Sequence, residues 1–321
     1  MTTQDQKSEK HGRTASMPRH IPWRGWLDIL IRINNQITAD NLSLVAAGVA
    51  FYAFLAIFPT IVASISLYGI IAENADIMQQ FDSLTVLMPA AARPILLDQV
   101  DTLVKSSEKT LGATFIVGLI FALFSAMKGM KAIMMALNIA YNEREKRGFF
   151  KIHFIALLLT LASVMLMVFL LGLVVAVPIF LQYIPMGEYV SIFLTLLRWP
   201  VMVLVLTMAL SALYHFAPSR KEARWRWVSW GAGVATIMWL LASLGFSAYV
   251  ENFGNFNKVY GSIGALVILL IWFFISSYAL LIGAELNAEM EHQTRHDTTV
   301  GKPKPLGERG AFVADTLGEN R

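Results

Sequence analysis

The sequence predicts an all-α fold, a polytopic transmembrane helical bundle with six spans. Of its 321 residues, 56% are hydrophobic and 15% are charged, whereas ordinary soluble domains carry about 25% charged residues. The stretch from Leu42 to Ala72 contains no acidic or basic side chain. It exceeds the roughly 20 apolar residues that a helix needs to cross a bilayer core of about 30 Å. Five further apolar stretches follow it.

The segment before the first span is predicted to have two parts. Residues 1–21 are polar and are predicted to be a disordered cytoplasmic tail. They lack the apolar core of a signal peptide, so the first span is expected to direct insertion. Residues 22–39 combine tryptophan and leucine with Arg24, Asp28 and Arg32 at four-residue spacing, which predicts an amphipathic interfacial helix. This helix either lies in the membrane interface or packs on the cytoplasmic end of the bundle.

The membrane domain is predicted to cover residues 40–289. Small residues recur along the first two spans and favour close helix packing, and Pro59 and Pro200 allow bends. The spans are placed at about 42–72, 111–138, 152–181, 190–216, 228–250 and 263–284. The outer loop 73–109 is predicted to hold short amphipathic helices, and residues 290–321 a disordered cytoplasmic tail.

Lysine and arginine predict the orientation. Nineteen of the 26 basic residues fall in segments on one side of the predicted membrane, four on the other and three within spans. Because basic residues concentrate in cytoplasmic segments, both termini are predicted to be cytoplasmic. The same excess explains the net charge of +4 without a nucleic-acid partner. The lipid bilayer is the expected partner, with anionic lipids at the cytoplasmic face.

The sequence offers little for catalysis. There is no cysteine, and the six histidines are scattered. No nucleotide-binding, zinc-protease or serine-hydrolase motif is present. We therefore expect no cofactor and no bound metal, and the interpretation as an enzyme is disfavoured.

Charged residues near span ends are the first candidate polar sites, because such residues are costly in a membrane. Asp40, Lys128, Lys131 and Glu285 fall at the same predicted depth, near the cytoplasmic surface. A structural cluster of ion pairs with outward-reaching lysines is the favoured interpretation. The alternative is a gate or a site for an anionic lipid headgroup.

Arg198 is the candidate on the outer side. It either reaches outward past Trp199 or pairs with Glu188 or Glu251; facing inward, it would recognise an anion. Four aromatic residues are candidates for lining a cavity, although packing is the more common role of such residues. They are Tyr52, Tyr249, Tyr260 and Trp272.

Four runs of the sequence resemble the YihY/virulence factor BrkB family. They are AAGVAFYAFLAIFP, LNIAYNEREKRGF, VYGSIGALVILLIW and LLIGAELNAEMEH, in this order. The resemblance implies a six-span bacterial inner-membrane protein with cytoplasmic termini, in a family that once carried a ribonuclease label. It marks as structural motif residues Tyr52, Pro59, Asn138, Tyr141, Glu145, Arg147, Tyr260, Gly261 and Asn287. The polar run YNEREKRGFFK, residues 141–151, follows the second span and is called the elbow here. Asn138, Tyr141, Glu145 and Arg147 are expected to anchor it.

Three hypotheses for function follow. The first is a transporter or flippase of a lipid or of a small anionic metabolite, because polar residues lie at both ends of a six-span domain. The second is a non-transporting scaffold in cell-envelope integrity. The third, a membrane-embedded enzyme, requires acids or histidines to converge in space. The sequence leaves the oligomeric state open, since stripes of small residues serve contacts between copies as readily as packing within one chain.

Overall fold

The structure is a computed structural model of the chain, and it describes residues 11–71, 108–183, 188–253 and 262–319. Most of this part is α-helical, and its only β feature is an isolated bridge between Ala223 and Thr299. The helices are α1 (Trp23–Ala39), α2 (Leu42–Ile71), α3 (Glu108–Ala140), α4 (Phe149–Tyr183), α5 (Glu188–Phe216), α6 (Trp225–Phe253), α7 (Ser262–Gln293) and α8 (Phe312–Asp315), with a 3-10 turn at Pro18–His20. The all-α prediction is confirmed.

Within the described residues, five helices are long and apolar enough to cross a membrane. Their qualifying stretches are Ile116–Ala140, Phe149–Val174, Ile192–Phe216, Trp225–Val250 and Leu266–Gln293. A sixth crossing is available if α1 and the beginning of α2, which meet at a bend of 64°, count as one broken span. Large apolar side chains such as Phe154, Met165 and Val168 are exposed along α4, as expected of a surface that faces lipid.

The chain divides into two compact units. The first comprises Met1–Ala46, Ile133–Leu241 and Ser276–Arg321; the second comprises Ala47–Ala132 and Ala242–Ile275. In the second unit, the backbone of α2 at Tyr52 and Ala53 lies close to Gly129 of α3. Pro59 lies within α2, which is helical throughout Leu42–Ile71.

In the first unit, α1 packs on the ends of α6 and α7. Ile29 and Ile33 are buried against Trp227 of α6 and against Leu286 and Met290 of α7. The opposite side of α1 exposes further apolar side chains, namely Trp23, Leu27 and Leu30. One face of α1 therefore packs on the helix bundle, as one of the two predictions for this segment has it. The other face is exposed and has the apolar composition of an interfacial helix.

Two asparagines end helices in the left-handed conformation. Asn41 (φ 48°) separates α1 from α2, and Asn142 (φ 53°) follows α3. Behind α3, the N–H of Glu143 donates to the carbonyl of Asn138 and the N–H of Asn142 to that of Ile139. This is the Schellman arrangement, for which asparagine is the usual substitute for glycine.

The prediction of disordered tails is wrong for residues 11–21 and 290–319. Helix α7 continues to Gln293, and the segment after it folds back onto the same unit. Thr294 donates to the carbonyl of Ala15 at 2.6 Å, and Arg13 donates to the carbonyl of His292 at 3.0 Å. The polar composition is explained by these bonds, because each tail supplies the hydrogen-bond partners of the other.

Several predictions lie outside the described residues. They concern residues 73–107 of the predicted outer loop, residues 1–10 and 320–321 at the two ends of the chain, and Tyr260 and Gly261. The limits of the membrane-spanning segments also stay predictions, since the structure contains no lipid.

Candidate functional site

Polar side chains are concentrated at one end of the first unit, where the last turns of α7 carry three acids and two amides. Glu285, Glu289 and Gln293 recur every four residues, as do Asn287 and Glu291, so they form two rows on neighbouring faces of the helix. All five side chains are almost fully buried. A helix end of this composition is stable only if most of these groups find polar partners.

The first row meets α1 and the turn after it. Arg32 of α1 donates through Nε to Glu289 at 2.5 Å and through a terminal nitrogen to Gln293 at 2.7 Å. Glu285 instead faces the carboxyl group of Asp40. Neither oxygen of Glu285, nor Oδ2 of Asp40, has another hydrogen-bond partner among the described residues. Glu285 is fully buried and Asp40 is half-buried, and two adjacent carboxyl groups are stabilised when one proton lies between them.

The second row meets α5, α6 and the loop that joins them. Asn287 accepts a hydrogen bond from the N–H of Gly231 at 2.8 Å and donates to the carbonyl of Val228 at 3.1 Å. Glu291 forms a bidentate ion pair with Arg220, at 3.0 and 2.6 Å. The side chains of this pair are 2% and 0% exposed. The guanidinium also lies 4.8 Å from the centre of the Tyr141 ring.

The elbow after α3 is held by its own polar residues. Asn138 accepts from the N–H of Ser219 at 2.6 Å and donates to Glu145 at 3.2 Å. Arg147 binds both oxygens of Glu145 at 2.7 Å and donates to the carbonyl of Ala217. Burial alone would raise the pKa of Glu145, but the hydrogen bonds and charge of Arg147 lower this pKa to about 2. These contacts tie the elbow to the end of α5.

A polar pocket of about 380 Å³ opens beside this elbow, between the beginning of α4 and the end of α5. Its lining includes the basic residues Lys146, Arg147, Lys151 and Arg220, together with His215 and one acid, Glu222. Arg147 and Arg220 bind Glu145 and Glu291, and Lys146 binds Glu143 at 2.9 Å with its own side chain 65% exposed. The two lysines are therefore the lining cations most accessible to a ligand. We call this space the basic pocket.

An apolar groove of about 470 Å³ runs along the same two helices. Its walls are formed by one face of α4, from Leu159 to Phe169, and one face of α5, from Leu206 to Leu213. Ile155 and Phe216 line the basic pocket, and they precede Leu159 and follow Leu213 by about one helical turn. The groove and the basic pocket are therefore consecutive along both helices. We call this space the α4–α5 groove.

Comparison with known proteins places the chain in a family. The sequence model of the family described as virulence factor BrkB matches residues 33–306. The chain belongs to the BrkB family. A BrkB relative, the ribonuclease-like protein YfkH of Bacillus subtilis, is 32% identical over 255 residues, which cover 76% of this chain and 88% of the relative.

Two further relatives of this BrkB protein are named as membrane proteins. A UPF0761 membrane protein of Photobacterium profundum is 27% identical over 286 residues, which cover 85% of this chain and 84% of the relative. One from Vibrio cholerae is 26% identical over 274 residues, covering 82% and 86%. No solved structure matches the chain. The family and the apolar helices together make this BrkB protein an integral membrane protein.

The structure brings some predicted site residues of this BrkB protein together and keeps others apart. Asp40 and Glu285 are neighbours in the first unit, whereas Lys128 and Lys131 belong to the second. Lys128 lies over the ring of Phe124, 4.8 Å from its centre, and Lys131 is half-buried. The four-residue cluster therefore stays a prediction.

Two further predicted site residues, Arg198 and Tyr52, contact aromatic side chains next to them in the chain. Arg198 donates weakly to the carbonyl of Val174 at 3.4 Å and lies 5.3 Å from the Trp199 ring. Tyr52 is exposed beside Phe51. Among the described residues, no group of three or more His, Asp or Glu side chains is arranged to hold a metal ion.

Arg32, Arg220, Glu289 and Glu291 were not among the predicted site residues of this BrkB protein. A signal for the acids was present in the sequence, since acids and amides repeat at four-residue spacing beyond the apolar part of the last span. No comparable signal identified their basic partners, which lie 71 and 257 positions away in the chain.

Proposed function

We propose that this protein is a transporter of the flippase type in the bacterial inner membrane, with both termini in the cytoplasm. Its proposed cargo is a lipid; a small anionic metabolite is the alternative cargo. One observation supports this choice of cargo. The α4–α5 groove is apolar along its length and meets the basic pocket at one end.

An amphipathic cargo fits this pair of spaces better than a water-soluble one. A metabolite carries no long apolar part, so it would leave the groove without a role. A lipid would place its chains along Leu159, Leu206 and Leu213 and its polar headgroup beside the lysines. The exposed apolar side chains around the groove, such as Met165 and Phe169, are compatible with entry from the bilayer.

Lipid transport is tested by reconstitution. The full chain in liposomes should move fluorescent phosphatidylglycerol between leaflets faster than protein-free liposomes do, measured by chemical quenching of the outer leaflet with and without a proton gradient. The double variant Ala162→Trp with Ala209→Trp fills the groove and should lower this rate severalfold. Met167→Trp is the matched control, because Met167 is exposed on the same helix and lies outside the groove lining.

Rates equal to those of protein-free liposomes under both conditions would overturn lipid transport. An equal loss of rate in the groove variant and in Met167→Trp would show that the groove is not the path. Tryptophan fluorescence during heating verifies that each variant is folded before its rate is compared.

The second candidate is a scaffold that organises envelope partners without moving cargo. The network around Asn138, Asn287 and the Arg220–Glu291 pair favours it, since so many buried hydrogen bonds make one end of the first unit rigid. A scaffold predicts a co-purified partner and no flux in the reconstituted system. A name containing the word ribonuclease belongs to one relative, and no catalytic group of the described residues leads us to propose that activity here.

A further inference from the structure

We infer that the basic pocket binds the phosphate of an anionic membrane phospholipid whose acyl chain lies in the α4–α5 groove. This inference rests on the proposed function only in taking the groove as a lipid path. It adds the chemical class of the ligand and the residues that select it.

The two lysines supply the positive charge. The side chain of Lys151 has no hydrogen bond or ion pair among the described residues, and it lines the pocket. Lys146 binds the buried carboxylate of Glu143 at 2.9 Å, and its own side chain is 65% exposed. The other N–H groups of its ammonium therefore face solvent and can donate to a phosphate. Both side chains are therefore available to a phosphate, in contrast to Arg147 and Arg220.

His215 supplies a buried polar group that lacks a protein partner. It is 7% exposed and stacked on Trp225, with ring centres 4.6 Å apart. Its Nδ1 has no hydrogen-bond partner within the part of the chain that the structure describes. A buried polar atom without a partner is costly, and a phosphate oxygen in the pocket would accept a hydrogen bond from this ring.

The first turn of α4 adds a third contribution. The helix begins at Phe149, directly after Gly148, which lines the pocket. The first N–H groups of a helix have no intrahelical acceptor and favour an anion. Glu222 is the acid in the lining. Its negative charge offsets part of the positive charge of the two lysines, so it would disfavour a ligand that carries several negative charges.

The groove distinguishes a lipid from free phosphate. From the pocket, the apolar walls begin about one turn away on both helices and extend along α4 to Phe169. An anionic phospholipid has its phosphate and its chains arranged in this order. Basic pockets at the cytoplasmic side of membrane helices are known to take such headgroups.

The test is competitive binding to the full chain in detergent, observed by native mass spectrometry with equal amounts of palmitoyl-oleoyl phosphatidylglycerol and phosphatidylcholine. Wild type should retain the phosphatidylglycerol preferentially. Because each lysine contributes about fivefold in affinity, Lys146→Gln with Lys151→Gln should reduce the preference about 25-fold. Lys302→Gln is the control, since Lys302 is exposed in the same unit and lies outside the pocket.

Two results would overturn the inference: no preference in wild type, or an unchanged preference in the double lysine variant. Millimolar inorganic phosphate provides a further arm. Retention of phosphatidylglycerol in its presence supports a lipid site, whereas complete displacement means that free phosphate is the ligand. Selective binding without leaflet exchange in liposomes would refute transport alone, and exchange without selectivity would refute this inference alone.

Discussion

The side-chain oxygen of Asn287 accepts a hydrogen bond from the backbone N–H of Gly231, across the contact between α7 and α6. The amide nitrogen of the same side chain donates to the carbonyl of Val228. One buried asparagine thus fixes the position of a neighbouring helix through two backbone groups. The contact is close because residues 231 and 283 are both glycine, and a Cβ on either would overlap the backbone of the other.

Removal of the Asn287 amide should destabilise the protein. Asn287→Ala removes two hydrogen bonds between α7 and α6, at a cost of about 1–3 kcal/mol for the two together. We expect a lower midpoint of thermal unfolding, measured by tryptophan fluorescence in detergent. Ser229→Ala, at an exposed position of α6, is the control. Equal midpoints for wild type and Asn287→Ala would contradict a stabilising role of the two Asn287 hydrogen bonds.

Two glycines of α6 should respond to alanine in opposite directions. At Gly231, a Cβ would meet the carbonyl of Gly283 and the side chain of Asn287, whereas at Gly233 it would meet nothing within 4 Å. Gly231→Ala is expected to destabilise by about 1–3 kcal/mol through overpacking. Gly233→Ala is expected to stabilise by up to about 1 kcal/mol, because alanine favours the helix. A higher unfolding midpoint for Gly231→Ala than for Gly233→Ala would refute the close contact of Gly231 with Gly283.

The Arg220–Glu291 ion pair should show strong coupling in a double-mutant cycle. Arg220→Met or Glu291→Gln alone leaves one buried group unpaired, which costs about 3–5 kcal/mol in typical cases. The double variant should lose much less than the sum of the two single losses. Additive losses in thermal midpoints would mean that the two side chains do not depend on each other.

The elbow should weaken in strong acid. The pKa of Glu145 is lowered from 4.5 to about 2 by Arg147, so its contribution to stability is complete above pH 4.5. That contribution is lost as the pH falls from about 4.5 towards 2, where the folded form also takes up the proton. Glu145→Gln should lose part of the acid dependence of the unfolding midpoint over this range. An identical dependence in wild type and variant would disprove the assignment.

The sequence was sufficient for the helices but not for their polar contacts. Long apolar stretches predict the helices because a hydrocarbon environment requires satisfied backbone groups. The Glu291–Arg220 and Arg32–Glu289 bonds join residues that are far apart in the chain. Local composition therefore cannot predict such pairs. For the same reason, the chain after residue 293 resembled a disordered tail, although Thr294, Thr298 and Val313 are buried.

The bonds between Arg13 and the end of α7, and between Ala15 and Thr294, have a consequence for biosynthesis. During translation, residues 11–15 leave the ribosome almost 280 residues before their partners are made. The bonds that join the amino-terminal segment to the end of α7 can therefore form only after every span has been synthesised. Docking of the amino-terminal segment marks the last stage of maturation, so a protease applied to stalled nascent chains should cut this segment until residue 294 has emerged.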